Sequence, residues 1–79
     1  MMRAIQELRD YIDRRYDGSI SAFARDNVET GKPFGYQINA PEIGKILRGE
    51  RGEWMSVRCA AALEAATGGA VGIRMWLPE

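Results

Sequence analysis

The chain has 79 residues, of which 46% are hydrophobic and 28% are charged, and its 11 basic residues are balanced by 11 acidic ones. A chain of this length is expected to form a single domain, residues 1–79, whose modest core leaves no room for a large substrate cavity. The net charge of zero argues against simple binding of polyanions through bulk charge, because nucleic-acid-binding domains often carry a basic excess.

Histidine and cysteine, which often serve in catalysis and in zinc binding, are scarce. There is no histidine, and the one cysteine is Cys59. The sequence therefore lacks the partners for a Ser-His-Asp or Cys-His arrangement and for a typical zinc site. A single cysteine fits a reducing compartment, and no run approaches the roughly 18 apolar residues of a membrane helix. We expect a cytoplasmic protein that is not an enzyme, does not enter membranes and needs no metal or cofactor.

The first predicted helix covers residues 3–16. Its apolar side chains recur at helical spacing and form one stripe, which consists of Ile5, Leu8, Ile12 and Tyr16. Gly18 is expected to end this helix, because glycine readily adopts the left-handed conformation that closes a helix.

The second predicted helix covers residues 20–27 and follows Ser19, whose hydroxyl is suited to cap free backbone amides. Its expected buried face consists of Ile20, Phe23, Ala24 and Val28. Residues 29–38 contain two glycines and a proline and are predicted to be a loop.

A short third helix is predicted over residues 40–48, with Asn39 as its N-cap and Pro41 in its first turn. Ile43, Ile46 and Leu47 are expected in the core, and the remaining polar and small residues face outward. A turn over 49–52 leads to the next helix.

The fourth predicted helix runs from Met55 to Thr67 and is rich in alanine. Cys59, Ala60, Leu63 and Ala66 are expected to face inward, and Gly68 and Gly69 to end the helix. The last residues, including Val71, Trp76 and Leu77, are expected to pack back onto the bundle. Together these elements predict an all-α domain of four or five short helices.

Positive charge is concentrated in the middle of the chain. Residues 1–31 contain five basic and six acidic residues. Residues 32–58 contain five basic and three acidic residues, and residues 59–79 contain one basic and two acidic residues. The net charges are therefore −1, +2 and −1. The basic third includes the short helix over 40–48.

Three segments resemble the YdaS-like antitoxins and Cro-like regulators of prophages. ALEAATGGAV (62–71) resembles the C-terminal helix and double-glycine turn of that group, and NAPEIGKILRG (39–49) resembles its recognition helix. SAFARDN (21–27) resembles the first helix of its helix-turn-helix. The resemblance covers about residues 19–79 and implies a lambda-repressor-like or Cro-like helix-turn-helix. The connection over 28–38 is longer than the usual turn of three or four residues, so either the second helix extends or an insertion separates the two helices.

The resemblance implies a regulator that places the helix over 40–48 in the major groove of double-stranded DNA. Lys45 would donate to guanine and Glu42 would accept from cytosine, whereas Arg48, Arg51 and Lys32 would bind phosphates. Gly44 would allow close backbone approach. The full set of implied DNA-binding residues is Lys32, Tyr36, Gln37, Asn39, Pro41, Glu42, Gly44, Lys45, Arg48 and Arg51. Within it, Lys32, Tyr36 and Gln37 are alternatively part of a tolerated surface loop.

Two functional interpretations follow. The first is a homodimeric repressor, or an antitoxin that represses its own operon. The second is a protein-interaction module, for instance a toxin-binding antitoxin, that keeps the helical scaffold without binding DNA. The zero net charge, Glu42 and the long connection favour the second. Trp54 and Trp76 would be either interface residues or parts of the core edge.

Overall fold

The computed structural model describes residues 2–50 and 56–76, and these residues form an all-α fold without β-strands. Five α-helices follow one another in these ranges: α1 Met2–Tyr16, α2 Ile20–Asp26, α3 Val28–Gly31, α4 Ala40–Leu47 and α5 Val57–Ala66. Two 3₁₀ helices cover Lys32–Phe34 and Ile73–Trp76. The predicted small all-α bundle is confirmed. Within the described ranges, no helix is long and apolar enough to cross a membrane.

The buried face of α1 consists of Ala4, Leu8 and Ile12, each at most 2% exposed. Their spacing of four residues places these side chains on one side of the helix. The predicted stripe is correct for Leu8 and Ile12, whereas Ile5 and Tyr16 are only partly buried. Ile5 lies instead against the turn after α4, with its Cδ1 4.0 Å from the position of a β-carbon on Gly49.

An aromatic cluster joins the end of α1 to α2. The ring of Phe23 stands edge-on to Tyr11 and Tyr16, at centroid distances of 6.1 and 5.6 Å. The Tyr16 hydroxyl donates a hydrogen bond to the Asp26 carboxylate, 2.6 Å away. As predicted, the Ser19 hydroxyl caps α2 by accepting the N–H of Ala22. These contacts fix α2 against α1.

The loop predicted over 29–38 is wrong for residues 29–34. After a break at Asn27 the chain forms α3 and then the first 3₁₀ helix. The Asn27 side chain supports both sides of this break, since its Nδ2 donates to the carbonyl of Phe23 and its Oδ1 accepts from the hydroxyl of Thr30. Val28, expected in the core, is 41% exposed because the break turns it outward. The chain therefore restarts a helix here.

Gly31 determines how this segment folds back toward α4. It is buried, and its carbonyl accepts the N–H of Tyr36 at 3.2 Å. A β-carbon on Gly31 would collide with the Tyr36 carbonyl oxygen and would lie 3.1 Å from the Ile38 side chain. Ile38 itself is 1% exposed. Only glycine permits this approach of the two backbone stretches.

The predicted inward residues of α5 are confirmed, and Ala62 joins them in the core. Gly68 and Gly69 both have positive φ and close α5 in a Schellman motif, in which Gly69 N–H donates to the carbonyl of Glu64 and Gly68 N–H to that of Ala65. The buried Thr67 hydroxyl donates to the carbonyl of Leu63.

The C-terminal segment packs onto α5 through polar and apolar contacts. Val71 N–H donates to the Thr67 hydroxyl at 3.1 Å, and Ile73 N–H donates to the Glu64 carboxylate at 3.0 Å. Val71 and Trp76 are buried, so the prediction that they pack back onto the bundle is confirmed. This places Trp76 in the core rather than at an exposed interface, whereas Trp54 and Leu77 lie outside the described residues.

Replacing Gly31 with alanine is expected to reduce the free energy of unfolding by about 1–3 kcal/mol, because the added carbon requires a shift of backbone. Gly44→Ala in α4 is the matched control. Its β-carbon would meet only the mobile end of Arg48, and alanine favours a helix over glycine by about 0.5–1 kcal/mol. Urea unfolding followed by circular dichroism measures both. Equal stability of the two variants would contradict the role of Gly31.

The Tyr16–Asp26 hydrogen bond predicts a loss of stability at alkaline pH. This bond, followed by burial, raises the pKa of the Tyr16 hydroxyl above its usual value of about 10. The raised pKa means that its stabilising contribution is complete below the pKa of the unfolded chain and is lost as pH rises through the folded-state pKa.

Asp26→Asn is therefore expected to lower the pKa of Tyr16 and to flatten this alkaline decline. The phenolate absorbance of the wild type minus that of Tyr16→Phe isolates the titration of Tyr16. A midpoint that does not fall in the Asp26→Asn background would show that Asp26 does not raise the pKa.

Candidate nucleic-acid interface

Hydrogen bonds from outside the helical ladder hold both ends of α4. At its start, the Asn39 Oδ1 accepts the N–H of Glu42 at 2.9 Å, which confirms the predicted N-cap. At its end, the guanidinium of Arg9 in α1 donates to the carbonyl of Leu47 at 3.2 Å. Between them, the fully buried Ile43 anchors the helix, which packs on α1 and α2. The bonds at both ends pair backbone groups that a helix end leaves open, and α4 is thereby fixed in place.

The outward face of α4 carries the polar residues that the periodicity predicts. Pro41, Lys45 and Arg48 are exposed and Glu42 is partly buried. Among the described residues, no acidic group forms an ion pair with Lys45. Lys45 therefore presents, near the middle of this face, a positive charge that no described acidic residue pairs with.

Gly44 does not lie open on this face, contrary to the prediction. It is buried because the Arg48 side chain folds back over it, which brings Nη1 to 3.1 Å from the position of a β-carbon on Gly44. The Arg48 Nε also forms an ion pair with the Glu50 carboxylate. Close approach of a ligand to the Gly44 backbone therefore requires Arg48 to move.

A shallow trough lies beside the start of α4. It consists of two adjoining cavities of about 310 and 330 Å³ that share Val28 and Gln37 in their walls. The trough brings together four residues of the predicted site, namely Lys32, Tyr36, Gln37 and Asn39. These residues lie in a structured connection that borders α4. The prediction of a loop over 29–38 did not specify where they lie relative to that helix.

The cations along the trough differ in how far they are neutralised. Lys32 Nζ lies 2.9 Å from the Glu29 carboxylate, which compensates its charge. Arg25 lines the same trough, is exposed and forms no ion pair within the described residues. The sequence prediction omitted Arg25, and no local signal indicated it, because Val28, three residues later, was expected in the core. Arg51 lies outside the described residues.

Another cavity, of about 600 Å³, lies between the end of α1 and the turn after α5. Its walls include Tyr11, Arg14, Arg15 and the exposed Gly68 and Gly69. The guanidinium of Arg15 stacks 5.7 Å from the centre of the Tyr11 ring. None of its lining residues borders the trough, so the exposed cations of this chain are distributed over more than one surface.

The described residues contain no group of three or more cysteine and carboxylate side chains arranged to hold a metal ion. Cys59 is buried in the hydrophobic core, 3% exposed, where it packs as a small apolar side chain.

Comparison with known proteins gives no relative on which to base a function. No protein-family model, no curated protein and no solved structure matches the chain. The resemblance of residues 19–79 to YdaS-like and Cro-like regulators therefore stays a prediction, and the functional inference depends on the described residues themselves.

Proposed function

We propose that the chain binds double-stranded DNA through the outward face of α4 and acts as a sequence-specific transcriptional regulator. The observation that carries the proposal is a helix fixed at both ends, by Asn39 and by Arg9, that presents to solvent a Lys45 with no ion pair to any described acidic residue. An α-helix fits the major groove of B-DNA, and rigid support keeps its side chains in register with the base edges.

Each polar residue of the interface has a role in this proposal. Lys45 donates to the O6 and N7 atoms of guanine, and Glu42 accepts from the N4 amine of cytosine. Arg25 and Lys32, on the trough, lie beside the start of α4 and bind the phosphate backbone, which positions the protein without reading sequence. Arg48 joins them after it leaves Glu50.

A homodimer on a two-fold operator is the expected assembly, since helix-turn-helix proteins commonly read half-sites one helical turn apart. The packing of α2 on α4 supports a helix-turn-helix in which residues 27–39 replace the short turn. We propose a repressor or self-regulating antitoxin of the prophage type, located in the cytoplasm with the DNA that it regulates.

A second candidate function is binding of a protein partner, such as a toxin, without DNA. The trough favours this alternative, because Val28 is 41% exposed on its wall and the total charge of the chain is zero. Salt dependence distinguishes the two functions, since phosphate binding weakens steeply with salt and an apolar interface responds little.

The Lys45→Ala variant tests the DNA-binding proposal. Loss of a base contact is expected to weaken binding to DNA from upstream of the chain's own gene by about 1–3 kcal/mol, roughly 5- to 150-fold. Fluorescence anisotropy at low and moderate salt measures the affinity, with a scrambled duplex of the same length for comparison.

Lys32→Ala is the matched control, because it removes the same charge from a side chain that Glu29 already compensates. A smaller loss, equal for both duplexes, is expected for this variant. Equal weak binding of the wild type to both duplexes, or no binding at low salt, would contradict the DNA-binding proposal and favour the protein partner.

A further inference from the structure

The Arg48 side chain lies across the outward face of α4, over Gly44, and pairs with Glu50. Its Nη1 and Cζ lie 3.1 and 4.0 Å from the position of a β-carbon on Gly44. Apart from the neighbouring Ile43 and Lys45 and the backbone of α4, no other described atom lies within 4 Å of that position. On the other side, its Nε pairs with the Glu50 carboxylate. Arg48 therefore covers Gly44, and Glu50 determines where the guanidinium lies.

Glu50 is itself fixed by the closing turn of α4. Gly49 has a positive φ of 74°, and the N–H of Glu50 donates to the carbonyl of Lys45 at 3.0 Å. Together with the bond from Gly49 N–H to the Ile46 carbonyl, this is a Schellman motif, so the position of Glu50 follows from the end of the helix. The backbone of Glu50 is thereby held at the end of α4, two residues from Arg48.

The ion pair is also accessible to a competing anion. The side chains of Arg48 and Glu50 are 60% and 51% exposed. Exposed ion pairs contribute little net stability, so another anion that offers the guanidinium two oxygens replaces the carboxylate readily. A DNA phosphate is such an anion.

We propose that Glu50 is a specificity-determining residue that occupies Arg48 as an internal substitute for a DNA phosphate. The inference rests on the proposed function. On DNA of any sequence, Arg48 must first leave Glu50, which reduces the electrostatic gain that drives non-specific binding. On the specific site, base contacts from Lys45 offset this loss, and the departure of Arg48 uncovers Gly44 for close approach of the DNA.

Glu50→Gln tests this role because glutamine keeps the shape of the side chain and removes its charge. The variant is expected to bind the scrambled duplex about 3- to 10-fold more tightly at low salt. Its plot of log affinity against log salt is expected to steepen by about 0.9, the value for one more phosphate neutralised, because no carboxylate remains beside Arg48 to offset its charge. Binding to the upstream DNA should gain less, so the ratio of specific to non-specific affinity should fall.

Two further variants isolate the contribution of Arg48. Asp17→Asn is the control for charge, because it makes the same change in net charge in the exposed turn after α1, where asparagine tolerates the positive φ of 52°. In an Arg48→Gln background, Glu50→Gln is expected to change the affinity and the salt slope no more than Asp17→Asn does. An effect of Glu50→Gln no larger than that of Asp17→Asn would overturn the proposal.

The outcomes separate this inference from the function on which it rests. If wild type and variants bind the upstream DNA selectively but Glu50→Gln leaves the salt slope unchanged, the role of Glu50 is wrong and the proposed function stands. If no variant binds either duplex, both are wrong. The Arg48 Nε–H signal in NMR spectra without DNA then reports whether the ion pair itself exists, because Glu50→Gln should shift it and speed its exchange with water.

Discussion

The close approach of Gly31 to the Tyr36 carbonyl determines how the chain travels from α2 to α4. Residues 27–39 must connect two helices that pack directly on each other, and a flexible connection would leave the start of α4 undefined. The connection consists of a restarted helix, a 3₁₀ turn and a buried Ile38, and the absence of a side chain at Gly31 lets Tyr36 and Ile38 pack against it. The same folding forms the trough and places Asn39 as the cap of α4, so the candidate interface depends on this contact.

Charge on this surface is arranged as compensated and uncompensated cations, although the chain as a whole is neutral. Lys32 and Arg48 are paired with Glu29 and Glu50, whereas Lys45 is not paired with any described acid. Compensation of this kind weakens the attraction to any polyanion and leaves base contacts as a larger share of binding energy. A neutral chain is therefore compatible with selective DNA binding, provided that the uncompensated cation faces the bases.

Local signals in the sequence were sufficient for α1, α2, α4 and α5, because apolar periodicity and capping residues act within a few positions. The helical turns over 28–34 were missed because glycine and proline usually indicate loops, and what orders them is contact with Tyr36 and Ile38 farther along the chain. The Glu29–Lys32 pair has a spacing that brings side chains together only on a helix, so this ion pair could not be predicted while α3 was taken for a loop.

The exposure of Lys45 was predictable from periodicity. The covering of Gly44 by Arg48 was not predictable, because it depends on the turn that places Glu50.

The segment ALEAATGGAV carries the resemblance most specifically. Its residues are explained structurally by the Schellman motif and the Thr67 hydrogen bonds, so the segment informs the fold more than the function.

The central claim, that DNA binds on α4 and the adjoining trough, is tested most directly by heteronuclear NMR of the isotope-labelled protein titrated with duplex from upstream of its own gene. We predict that the amide signals of Asn39, Lys45 and Glu50 shift, together with those that border the trough at Arg25 and Gln37. The signals of Gly68 and Gly69, which line the other cavity, should stay in place. Shifts confined to that other cavity, or no shifts at low salt, would contradict the account.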